Sequence, residues 1–169
     1  QDEEQNTPLH LATWYIDDEA EQAEMVELLI ANGASIDMKG YRGRSALHNA
    51  TQKAKIMTAE ILLQNQADPN CQDEEQNTPL HLATWYIDDG AEQAEMVELI
   101  IAKGASIDMK GYRGRSALHN ATQKAKIMTA EILLQNQADP NCQDEDQNTP
   151  LHLATWYIDD GAEQAEMVE

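Results

Sequence analysis

Apolar residues recur along this chain in short stripes, each opened by a residue suited to capping a helix. Thr7 precedes Pro8, a place where a missing backbone N–H costs nothing. Leu9, Leu11 and Ala12 follow as a small apolar stripe, so the pattern predicts a helix opened by Thr7. Asp18 and Glu21 stand in the spacing of a capping box, and Ala23, Val26, Leu29 and Ile30 recur behind them at helical intervals, which predicts a second helix. Gly33 is placed to close that helix in the left-handed conformation. Met38 to Arg44, with Gly40 and Gly43, reads as a tight turn projecting from the helix pair. A pair this small cannot bury its apolar face alone, and stacking on neighbours must complete it.

Neighbours of the required kind are encoded in the same chain. Gln1 to Cys71 recurs as Gln72 to Cys142 with three differences: Glu19 against Gly90, Leu29 against Ile100 and Asn32 against Lys103. A further copy begins at Gln143, where Asp146 answers Glu75. A period of 71 residues kept this faithfully marks an array. Inside each period a weaker echo appears, Thr7-Pro8-Leu9-His10-Leu11-Ala12 answered by Ser45-Ala46-Leu47-His48-Asn49-Ala50. Thr7 lies 38 residues before Ser45, and Ser45 lies 33 before Thr78, giving a long and a short unit.

The string from Thr7 to Ala12 matches the T-P-L-H-x-A signature of the ankyrin repeat, and the short unit has that repeat's length. The trailing strings Gly33-Ala34-Ser35-Ile36-Asp37 and Ala67-Asp68-Pro69-Asn70 fall in register with it, so the chain resembles the ankyrin-repeat family over its whole length. The resemblance implies an all-α repeat solenoid of stacked helix-turn-helix units with projecting β-turn fingers. The expected single array runs over 1–169: the end of a preceding unit at 1–6, long units at 7–44 and 78–115, short units at 45–77 and 116–148, and a truncated long unit at 149–169. Without terminal caps, such an array is expected to be a window on a longer one, or to have its ends covered by neighbouring molecules. It also implies structural, hydrogen-bonded imidazoles for His10, His48, His81, His119 and His152, all in the fourth place of the signature. Three departures from the family pattern stand in the short unit and the turn behind it: Asn49 where Leu is preferred, and Gln66 and Gln76 where glycine usually turns the chain. A left-handed Gln costs on the order of 1 kcal/mol, so the short unit is expected to be the less stable partner. Asn49 and Asn120 read as satisfied buried polar groups.

Charge narrows the partners. Acidic residues outnumber basic ones 31 to 11, a net charge of -20, which argues against nucleic acid because phosphate binding needs a basic stripe. No apolar run approaches the length of a membrane span, so no membrane insertion is expected. Cys71 and Cys142 occupy one repeat position in two periods, too far apart for the roughly 4.4–6.8 Å between Cα atoms that a disulfide tolerates. Reduced thiols are expected, with the cytoplasm as default compartment and the extracellular space if the chain is filamentous. No metal spacing, cofactor loop or nucleophile with its base stands out, and the expectation is a non-enzymatic protein without a cofactor.

In proteins that this chain resembles, partners are gripped by the turn tips and by the exposed end of each first helix. Mapped onto this sequence, those places are Trp14 and Tyr15 in the long unit and Gln52 and Lys53 in the short one. The turn tips are Tyr41, Arg42 and Arg44, then Glu74, Glu75 and Asn77. The second period repeats the set as Trp85, Tyr86, Tyr112, Arg113, Arg115, Gln123 and Lys124. Aromatic and Arg side chains dominate binding hot spots. Trp14 has a second reading, as packing beneath an enlarged helix connection through Asp17, Asp18 and Glu19 that the five extra residues of the long unit would form.

The expected partner is another protein or further copies of this one. Acidic residues from Asp73 to Glu98 and basic ones from Lys103 to Lys126 form bands that could pair with a shifted copy. Two functions follow: an interaction scaffold gripping a partner at repeated stations, or a homopolymeric structural filament built by stacking or lateral association of near-identical units.

Overall fold

A computed structural model describes residues 1–155 of the 169, so most of the truncated long unit lies outside the described residues. The helices are α1 (Pro8–Tyr15), α2 (Glu19–Ala31), α3 (Ala46–Gln52), α4 (Ile56–Gln64), α5 (Pro79–Tyr86), α6 (Gly90–Ala102), α7 (Ala117–Gln123) and α8 (Ile127–Gln135). Residues 150–155 are helical as well. The first helices α1, α3, α5 and α7 pack in sequence as one layer, and α2, α4, α6 and α8 as another behind it. Leu9, Val26, Leu47, Leu62, Leu80, Val97, Leu118 and Leu133 fill the space between the layers in one continuous core.

Stacking is visible in the copies. Met25 on α2 is 40% exposed and Leu11 on α1 37%, whereas their equivalents Met96 and Leu82, overlaid by α4 and α3, fall to 0% and 2%. At about 25 cal/mol per Å² of apolar area, this coverage is what makes one unit depend on the next.

The capping logic of the sequence is realised. Asp18 accepts from the Glu21 backbone N–H at 2.9 Å. Gly33 closes α2 at φ 86°, and Ala34 N–H reaches back to the Leu29 carbonyl at 3.0 Å. The short unit makes the same bond, from Ala67 N–H to the Leu62 carbonyl at 3.0 Å, with Gln66 held at φ 70° in place of the glycine. Gln76 is likewise left-handed, at φ 64°.

The five extra residues of the long unit do not enlarge the helix connection as expected. Both units join their helices with residues of equal number, 16–18 and 53–55. The surplus goes into the helices: eight residues against seven in the first, and thirteen against nine in the second. Four residues add about one turn, so α2 and α6 project a turn beyond α4 and α8. The uninterrupted helix-forming run Glu19 to Met25 explains this, since it holds no residue that stops a helix.

Candidate protein-binding grooves

His10, His48, His81 and His119 each build their own unit and hold the next. The Thr7 backbone N–H donates to His10 Nδ1 at 3.2 Å, so that nitrogen keeps its lone pair. Nε2 therefore carries the proton and donates to the Arg44 carbonyl at 2.9 Å, at the foot of the following finger. His48, His81 and His119 repeat the contact to the carbonyls of Asn77, Arg115 and Asn148. Desolvation holds His10, His48, His81 and His119 below the usual imidazole range, His48 down to about 4, so all four are neutral at physiological pH. With both ring nitrogens engaged, the imidazole lacks a free lone pair for a metal.

The fingers are hairpin turns tied side by side. Gly40 N–H donates to the Arg44 carbonyl at 2.8 Å, and Asp73 N–H to the Asn77 carbonyl at 2.9 Å. Adjacent fingers are linked where Tyr41 N–H donates to Asn6 Oδ1 at 3.0 Å and Glu74 N–H to the Arg42 carbonyl at 3.0 Å. Gly40 is required here, because a Cβ would meet Asn6 Oδ1 at 2.6 Å. The tips alternate in chemistry: Tyr41 and Arg42 on one finger occupy the places of Glu74 and Glu75 on the next.

Finger and helix together enclose a groove. In the first period it is about 290 Å³, walled by Trp14 and Tyr15 of α1 and by Tyr41 and Arg42 of the finger, with Gln52 and Asn49 of α3 beneath and Glu4 at the rim. The second period repeats it at about 300 Å³ with Trp85, Tyr86, Tyr112, Arg113, Asn120 and Glu75. Stations that lie 27 residues apart in sequence, Trp14 and Tyr41, thus face one space. Trp14 is half-buried in the groove wall with Lys53 Nζ 4.5 Å above its ring, and Trp85 pairs with Lys124 at 4.4 Å. Tyr15 is 71% exposed. Arg42 lies 5.4 Å over Tyr41 and Arg113 lies 5.7 Å over Tyr112. Glu74 lines a shallow depression between fingers rather than a groove.

Arg44 and Arg115 depart from expectation. Neither stands at a turn tip: Arg44 is buried at the finger's foot, with Nε 3.5 Å from Asp73 Oδ2, and Arg115 pairs with Asp144 at the same distance. Asp73 spends one carboxylate oxygen on the Glu75 and Asn77 backbone N–H groups, both at 2.9 Å. Its buried charge needs a counter-ion, and the Arg supplies it. The second guanidinium of this kind donates to Gln123 at 2.6 Å, as Arg44 does to Gln52, so the Gln side chains orient Arg from below.

Sequence reasoning named neither Glu4, which the repeat makes the letter-for-letter equivalent of Glu75, nor Asn49 and Asn120 as groove floor. Asn49 is buried and donates to the His10 carbonyl and to Thr13 Oγ1, both at 3.4 Å. Cys71 is a free thiol whose burial pushes it up to about 11, with the Ser45 hydroxyl 3.3 Å from its sulfur. Among the described residues no helix is long and apolar enough to cross a membrane.

A family model described as ankyrin repeats (3 copies) matches residues 18–111 and 88–169. Rabankyrin-5 of Mus musculus is 30% identical over 145 residues, 81% of this chain and 12% of that protein. The transient receptor potential channel pyrexia of Drosophila melanogaster is 38% identical over 115 residues, 68% of this chain and 11% of its own. The nuclear factor NF-kappa-B p105 subunit of Gallus gallus is 31% identical over 150 residues, 88% of this chain and 14% of its own. The chain therefore spans only 11–14% of the length of these relatives.

Proposed function

The chain belongs to the ankyrin-repeat family, and from that premise we propose that it is a non-enzymatic interaction scaffold which grips a partner protein in the two aromatic grooves found among the described residues. Ankyrin repeats are generally protein–protein interaction modules. The observation that carries the finer reading is the convergence of Trp14, Tyr15, Tyr41 and Arg42 on one groove, repeated intact by Trp85, Tyr86, Tyr112 and Arg113. Large, half-exposed aromatic rings beside an Arg are the side chains that contribute most when a partner covers them. Two like grooves on one rigid stack raise avidity about 10²–10⁴-fold for a partner that reaches both.

The rival reading, a filament of stacked or laterally paired chains, draws little from this surface. The finger row carries acid pairs at Glu3 and Glu4, Glu74 and Glu75, and Glu145 and Asp146 against single cations at Arg42 and Arg113. A copy shifted by one finger would set two carboxylates against each single cation, leaving every contact with excess negative charge, which weakens lateral pairing.

The scaffold reading is tested by selecting displayed peptides on the intact chain and measuring the binders against a variant carrying Tyr41→Ala, Arg42→Ala, Tyr112→Ala and Arg113→Ala. These four side chains are peripheral to the core, so circular dichroism should be unchanged while binding is lost. Binders that hold equally well to the variant would place the interaction surface elsewhere.

A further inference from the structure

Each groove carries one carboxylate at its rim, Glu4 or Glu75, across from Arg42 or Arg113. Of the eleven basic side chains, ten already have partners inside the protein. Lys39 and Lys55 donate to the carbonyls of Gln72 and Asp17, Arg44 pairs with Asp73, and Lys53 and Arg42 lie over Trp14 and Tyr41. Their copies in the second period do the same. Lys103 is the remaining one. The carboxylates at the groove rims form no close ion pair, although Arg42 attracts Glu75 at longer range. Glu4 and Glu75 are exposed, and each holds only the amide of Asn6 or Asn77, at 3.3 and 3.4 Å. These distances lie beyond the usual 2.7–3.2 Å. A net charge of -20 surrounds them.

Resting on the reading of these grooves as partner sites, we propose that the partner is an extended basic segment that lays one Arg or Lys side chain in each groove. The exposed rings of Tyr15 and Tyr86 give its aliphatic stem an apolar surface and its cation a π face, and Glu4 or Glu75 takes the charge. The structure also sets the spacing. The grooves belong to α1 and α5, with α3 packed between them. Two helix layers at 8–10 Å each separate the stations by about 16–20 Å. An extended chain rises 3.3–3.6 Å per residue, so the two cations stand about five or six residues apart.

The test is calorimetric titration of the intact chain, at low and high salt, with three Gly/Ser peptides. One bears two arginines about five residues apart, one has the two arginines adjacent, and one has glutamates in place of the spaced arginines. The spaced peptide should bind about tenfold more tightly than the adjacent one, since it alone reaches both grooves. Glu4→Gln with Glu75→Gln should weaken it by about tenfold and flatten its salt dependence. Gln is isosteric with Glu at these exposed rims, and an unchanged melting temperature confirms that the variant folds. Equal binding of the two arginine peptides would reveal attraction to a polyanion without a site. Indifference to the double variant, or tighter binding of the glutamate peptide, would equally overturn the proposal. If selected partners fail on the Tyr41, Arg42, Tyr112 and Arg113 variant yet ignore the Glu variant, the grooves stand as binding sites and only the cationic ligand falls. Partners indifferent to both variants would remove the grooves themselves.

Discussion

Inside the core, Gln22 Oε1 accepts the Thr58 hydroxyl at 2.8 Å while Nε2 of the same side chain donates to the Ile16 carbonyl at 2.8 Å and to those of Ala12 and Thr13 at 3.2 Å. One fully buried amide thus satisfies the open end of α1 and ties α2 to α4 of the next unit. Gln93 and Thr129 repeat the link in the second period.

Gln22→Leu keeps most of the volume but strands the α1 carbonyls and the Thr58 hydroxyl in an apolar setting. We expect a loss of about 2–4 kcal/mol in urea unfolding, from several buried polar groups at 1–3 kcal/mol each. Gln93→Leu should cost a similar amount. A loss below about 1 kcal/mol would show that water replaces the amide.

Acid should loosen the stack through its histidines. His48 titrates at about 4 when folded and near 6.5 when unfolded. Between those values the unfolded chain binds the extra proton, so stability rises with pH across the window and is lost as pH falls through it. His48 alone accounts for about 3 kcal/mol at the acid limit, and His10, His81 and His119 shift in the same direction. Urea midpoints should be level above neutrality and fall from about pH 6.5 downward. Relief of the chain's negative self-repulsion works the other way, so a midpoint that rises on acidification would show the repulsion to be the larger effect.

Gly90→Glu should stabilise the second period. Its counterpart Glu19 accepts the Met57 backbone N–H at 2.8 Å and so caps α4, which has no side-chain cap of its own. A Cβ at Gly90 meets nothing within 4 Å. Restoring a cap and removing a helical glycine each contribute about 1 kcal/mol. A melting temperature that does not rise would mean that α8 is held well enough without the cap.

Gln66→Gly sets two backbone effects against each other. Relief of the left-handed conformation at φ 70° is worth about 1–2 kcal/mol, and the added freedom of glycine when unfolded costs about 0.5–1 kcal/mol. Strain relief is the larger, so a net gain of about 0.5–1 kcal/mol is expected. A loss would show that the Gln side chain makes a contact worth more than the strain.

The helix pairs, the caps at Thr7 and Asp18 and the left-handed positions Gly33, Gln66 and Gln76 were legible because each depends on residues close in sequence. Ala54, left-handed at φ 55°, was not, since alanine carries no mark of that conformation. Gln22 looks from its surroundings like one more polar residue on an acidic helix face, and its partners, the carbonyls that close α1 and the Thr58 hydroxyl 36 residues away, meet it only in the fold. Arg44 misled for the same reason: a finger predicts an exposed Arg, and the buried Asp73 of the next finger draws it inward. The grooves were half readable. Their walls could be named from the repeat, but their meeting in one space depends on the fold.

Having two grooves lined from the same repeat positions also leaves little to tell the first from the second. A ligand with a single complementary side chain has two similar berths, a statistical advantage of about 0.4 kcal/mol from RT ln 2 where they bind equally. A ligand with several can release one berth while the other holds, then re-engage one period along. Such a chain would exchange registers by stepping instead of dissociating, much as a bead moves along a ratchet that has lost its preferred direction.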